Sequence, residues 1–226
     1  MVDEALLDFG PADEEELEAL RLLASSLARL FSYPSVEEAR VFTDGESVQF
    51  LMGLAARIQA PDALLEQRAS QALAWAAKPA DERGQTMRRE LTRLCYRPEA
   101  PVPLEGRRWV RRDPAEPEAR LGESASVAQS YRAAGLKLRV GVVERADALP
   151  TELDFLAAVL GQELAFGREG NGAQALVWKR RRTVFAERHL GPLASAVGQG
   201  IERLSTWPPL LLWTALLQIA AHRCGY

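Results

Sequence analysis

Lysine, histidine, cysteine, strand-like alternation and the short motifs of catalysis are all scarce in this chain, and each scarcity removes a class of function. Lysine occurs at Lys78, Lys137 and Lys179 alone, so positive charge is almost wholly arginine, a bias that reads as GC-rich coding before it reads as function. The formal net charge of −3 lacks the basic excess of a dedicated nucleic-acid binder. Cys95 and Cys224 stand at no metal-ligand or redox-motif spacing and predict two buried thiols in a reducing compartment. The first residues are acidic from Asp3 through Glu18, the opposite of a signal peptide's basic start. The most apolar stretch, 207–221, is shorter than the roughly 20 residues needed to span a bilayer, and two prolines open it. The expectation is a soluble, cytoplasmic chain that does not insert into membranes.

Chemistry is equally thin. There is no Walker loop, no Gly-x-Gly-x-x-Gly turn after a strand, no Cys-x-x-Cys and no His-Glu-x-x-His. The two histidines, His189 and His222, each fall near the end of a predicted helix, where the helix C-terminus is their natural partner. No catalytic centre, bound metal or cofactor is expected. Asp and Glu are plentiful, but acid-base catalysis needs a convergent pair, and convergence is not a sequence property.

What is present is helical periodicity. Hydrophobic residues make up 47% and charged residues 26%, the balance of a globular chain with a real core. Leu17, Leu20, Ala24, Leu27 and Phe31 recur at three- and four-residue steps and predict a helix over 13–31, closed by Tyr33-Pro34. Further helices are expected over 47–59, 62–77 and 81–95, the last capped by Asp81. From 96 to 122 no period is sustained, and Pro98, Pro101, Pro103, Pro114 and Pro117 exclude a helix interior. This segment divides the chain into an N-terminal half, 1–122, and a C-terminal half, 123–226, within one compact unit.

In the second half, a helix carrying Val127 and Tyr131 stops at Gly135, and Pro150 opens the next after a linker over 136–149. The Gly170-Asn171-Gly172 turn precedes helices over 173–189, 192–204 and 208–223. The fold class is all-α, a multi-helix bundle of about nine helices with a long Pro-rich loop between two halves. The run Lys179-Arg180-Arg181-Arg182 reads as a solvated helix face. Arg107-Arg108-Trp109-Val110-Arg111-Arg112 reads either as a packed loop or as a contact patch centred on Trp109, because Trp and Arg are enriched at binding hot spots.

One block is more specific. Tyr131-Arg132-Ala133-Ala134-Gly135-Leu136, followed by Asp147-Ala148-Leu149-Pro150-Thr151-Glu152-Leu153-Asp154-Phe155, resembles the signature of the TorD/DmsD/NarJ family. These are cytoplasmic chaperones that mature molybdenum-containing oxidoreductases. Two upstream segments, Leu30-Phe31-Ser32-Tyr33-Pro34 and Arg89-Glu90-Leu91-Thr92-Arg93-Leu94-Cys95, resemble the family in the same order. Ala148 stands where the family has His, Leu91 and Cys95 where it has Tyr and Phe, and Gly106 where its loop has Ser.

The resemblance implies a TorD-like bundle without turnover. Its partner would be the twin-arginine leader or N-terminal region of an immature molybdoenzyme catalytic subunit, held until its cofactor is inserted and before export. A leader offers a basic end and an apolar stretch, so its receptor needs acids beside an apolar surface. The candidate client-binding residues are Asp147, Glu152, Leu149, Pro150, Tyr131 and Trp109. The competing reading of the two acids is ordinary first-turn capping and dipole chemistry. Monomer and domain-swapped dimer both remain open, as does a helical scaffold or regulatory protein that kept the fold and lost the client.

Overall fold

The computed structural model describes residues 11–60, 62–109, 119–137 and 145–225, with side chains from 14 onward in the first stretch and from 122 onward in the third. The ten α-helical segments in these residues are α1 (Pro11–Phe31), α2 (Val36–Val41), α3 (Gly45–Arg57), α4 (Ala63–Ala76), α5 (Ala80–Leu91), α6 (Ala119–Ala133), α7 (Leu149–Arg168), α8 (Gly172–Phe185), α9 (Gly191–Leu204) and α10 (Pro208–Gly225). Among the described residues there is no strand beyond one isolated bridge, so the all-α expectation holds.

Local chemistry explains most boundaries. Asp44, Asp62 and Asn171 each accept a first-turn amide of α3, α4 and α8, satisfying donors that a helix start leaves free. Gly135 takes φ +75 after α6, and the Leu136 amide reaches back to the Tyr131 carbonyl, a glycine-dependent ending. Asp81 does not cap α5. Pro79 holds the cap position without a side-chain bond, and Asp81 pairs instead with Arg40 of α2 at 2.7 Å.

The helix pair expected over 173–189 and 192–204 is continuous. α8 passes into α9 through a π-helical turn, Ala186–Leu190. Pro192 has no N–H to give the preceding turn and its ring crowds the carbonyl four residues back, so a widened turn accommodates it. Gly191 donates to the Ala186 carbonyl across that turn, and a Cβ there would lie 2.9 Å from the same oxygen.

The core joins both sides of the Pro-rich segment. α1 lies along α7, α7 also packs on α8, and α10 lies against α4 and α9. Leu23, Leu27 and Phe31 of α1 are fully buried in one cluster with Leu153, Leu156 and Leu160 of α7. Cys95 and Cys224 are free, buried thiols, and desolvation pushes both up to about 12. No described helix is long and apolar enough to cross a membrane.

Candidate functional site

The N-terminus of α7 is where the sequence-derived candidates meet. Ala148 takes the cap position with extended backbone and no side-chain bond, and Pro150 sits in the first turn. Asp147, one residue earlier, does not cap the helix. Its Oδ2 accepts from the Arg107 backbone N–H at 3.0 Å, across the chain. The capping explanation therefore fails for Asp147.

A short turn covers this point. The Gly106 amide donates to the Asp147 carbonyl at 2.7 Å, and the Leu149 amide donates to the Leu104 carbonyl at 2.8 Å. Together they make an isolated antiparallel bridge between Glu105 and Ala148. A 3-10 turn, Gly106–Arg108, follows, and the Trp109 indole N–H donates to the Pro103 carbonyl at 2.8 Å.

Beneath the turn, acids gather without enough partners. Asp147 is 0% exposed and Glu152 is 1% exposed. Asp147 Oδ1 and Glu152 Oε2 are both buried with no hydrogen-bond partner, as are Thr151 Oγ1 and Arg107 Nε. Burial pushes the Glu152 carboxyl well above the ordinary range, and the neighbouring charges of Glu123 and Asp147 push it further. Each orphaned buried group costs about 1–3 kcal/mol, so the cluster is expensive to keep.

An aromatic wall stands beside the acids. The Tyr131 hydroxyl donates to the Ala146 carbonyl at 2.6 Å. Its ring stacks on Phe155 at 4.4 Å, and Phe155 meets Phe185 at 4.6 Å. Burial, and then the charges of Glu152, Asp147 and Asp154, push the Tyr131 phenol up, so it stays protonated as a donor.

Of the six candidates, Asp147, Glu152, Leu149, Pro150 and Tyr131 are brought together and buried, while Trp109 is half-buried in the covering turn. The structure adds Glu123, Gly106, Arg107 and His189. His189 does not serve a helix end, because the helix continues through it. Its Nδ1 lies 2.9 Å from Glu123 Oε1 and its Nε2 lies 3.5 Å from Ser126 Oγ. Their sequence signal was a lone acid near a predicted helix start and one histidine, too little to connect two residues 66 positions apart.

Ser126, His189 and Glu123 follow the order of a hydrolytic triad, but the helix that carries Ser126 supplies no oxyanion donor beside it. Ser126 lies well inside α6, where neighbouring amides are engaged in the helix and cannot form an oxyanion hole. Among the described residues no group of three His, Cys, Asp or Glu side chains is placed to hold a metal ion. Two surface grooves, of about 460 and 590 Å³, run beside α10 and share Gln218 and His222. The first is bordered by Arg68 and Arg223, already engaged with Glu202 and the Gln59 carbonyl, so neither guanidinium is unsatisfied there.

Glu152→Gln should stabilise the protein above pH 4.5. A carboxyl whose folded pKa is raised contributes most at low pH, and that contribution is lost as pH rises from the ordinary value of 4.5 toward the raised one. The glutamine variant has no such loss. Urea unfolding at pH 5 and pH 8 should show a gain that grows with pH; equal stability of the two proteins at pH 8 would refute the burial argument.

Residues 58–197, more than half of the chain and including the whole cluster, match the family described as nitrate reductase delta subunit. No curated protein matches the chain.

Proposed function

The chain belongs to the nitrate reductase delta subunit family, a family of molybdoenzyme maturation chaperones, and from that premise we propose that it is a cytoplasmic chaperone binding the leader or N-terminal region of a molybdenum-containing oxidoreductase. Binding would precede cofactor insertion, assembly and export of that client. The observation carrying the reading is the buried pair Asp147 and Glu152, each with an unpartnered oxygen, beside the wall of Tyr131, Phe155 and Phe185. A peptide with a cationic end and an apolar stretch complements both parts. Its guanidinium N–H groups can satisfy the orphan oxygens, and charge-assisted bonds are the stronger kind.

The test is calorimetric titration of the full chain with synthetic N-terminal peptides of molybdoenzyme catalytic subunits. Asp147→Asn keeps shape and an acceptor but removes charge, and should weaken binding by about tenfold or more. Wild-type affinity in that variant, or no binding of any such peptide by the wild type, would refute the proposal.

Ala148 favours a second reading. It is buried in the bridge to Glu105 where the resembling family has His, which suits a scaffold or regulatory protein that kept the fold and lost the client. Gene deletion separates the two: loss of a chaperone leaves its client enzyme without cofactor, and loss of a scaffold does not.

A further inference from the structure

The carboxylate site is closed in this structure, and what closes it supplies Asp147 with one N–H donor of the kind a cationic ligand would bring. The turn over 104–109 contributes Arg107 and Arg108, lies directly on Asp147, and is held by backbone hydrogen bonds together with the buried Leu104 side chain and the half-buried Trp109, both packed on the core. Two backbone hydrogen bonds across the Glu105–Ala148 bridge and one from the Arg107 N–H to Asp147 Oδ2 tie it to the start of α7. Arg108 turns away, to Glu105 at 3.5 Å and the Pro98 carbonyl at 3.3 Å. Arg107 answers Asp147 through its backbone N–H alone, and Asp147 Oδ1 and Glu152 Oε2 are left buried without a partner. One donor is supplied where the two acids could take several. An occupant that left the site satisfied would be hard to displace; this one leaves both carboxylates open to a better donor.

We infer that the turn over 104–109 is an internal stand-in for the client, and that a cationic client segment binds by displacing it from Asp147 and Glu152. The inference rests on the chaperone reading above and adds the route by which five buried candidates become accessible. A short bridge and a 3-10 turn with an exposed Arg108 are the kind of element that opens locally while the core stays folded. Gly106 adds to this ease. A Cβ at that position would make ordinary contacts with Asp147 and Glu123, at 3.7 to 3.8 Å, so a side chain that could latch the turn is accommodated but not present.

A redox lock tests the displacement. Glu105 and Ala148 form a non-hydrogen-bonded antiparallel pair, flanked by the Gly106 and Leu149 amide bonds. Cα atoms in such pairs lie about 4.5 Å apart, within disulfide range. The full chain carrying Glu105→Cys and Ala148→Cys is titrated, oxidised and reduced, with a synthetic molybdoenzyme leader peptide that the wild type binds. Cys95 and Cys224 are buried, free thiols and poor competitors for oxidation. Oxidation should lower affinity by about tenfold or more, and reductant should restore it. Equal binding by the oxidised and reduced forms would overturn the displacement and leave the chaperone reading intact. A wild type that binds no leader peptide removes both. Leu104→Ala, which loosens the turn without touching the acids, should raise affinity; unchanged or lower affinity in a folded Leu104→Ala protein also counts against the proposal.

Discussion

Glu163→Ala should destabilise the protein by about 3–5 kcal/mol, the range for breaking a buried ion pair from one side. Glu163 of α7 and Arg182 of α8 meet through two hydrogen bonds of 2.8 and 3.3 Å, with side chains 4% and 6% exposed. Arg182 Nη1 also donates to the carbonyls of Arg223 and Cys224, at 3.4 and 3.3 Å, in the last turn of α10. One guanidinium thus ties three helices and answers the negative end of a helix dipole. Burial works against its charge, but the Glu163 hydrogen bond and charge more than offset this and hold its pKa up. Alanine at 163 strands that cation in the core. Replacing both partners with methionine should recover most of the loss, since an apolar pair leaves no charge unpaired. Urea unfolding of the two variants decides the matter. A loss below about 1 kcal/mol for Glu163→Ala would mean that water or another acid replaces the carboxylate.

Trp213→Ala is expected to cost about 3–5 kcal/mol, while Trp213→Phe should cost much less. Trp213 is fully buried and meets Trp207 edge to face at 5.3 Å; Trp207 meets Trp75 at the same distance. The stack connects α10 and its preceding segment to α4. Alanine leaves a large cavity at that junction. Phenylalanine keeps an aromatic body and removes a buried indole N–H that has no partner, so part of the lost area is compensated by a smaller desolvation penalty. Equal losses for the two variants in thermal or urea unfolding would show that the indole N–H is satisfied in solution.

Much of the secondary structure was legible because its causes are local. Stripes such as Leu17 to Phe31, caps such as Asp62, the Gly135 ending and Pro150 in a first turn all act within one or two helical turns. Where a local signal was missed, it was still local. Ser35 and Glu38 form a reciprocal capping box that starts α2, inside a stretch too short to show periodicity. Asp81 looked like a cap and was claimed by Arg40, a competing partner from another helix.

Short-range signals in the sequence were enough to make the described residues all-helical, and the motif order pointed to the family matched over residues 58–197. Periodicity, caps and breakers are short-range, so they survive without knowledge of the fold. Only the packing of separate helices brings Glu123, Asp147, Glu152 and His189 into one neighbourhood, turns Asp147 to Arg107 and not to its own helix, and lays the turn over 104–109 on Asp147. These residues come from α6, the start of α7 and the π turn after α8. Their meeting depends on how separate helices pack, and packing is settled by the whole core at once.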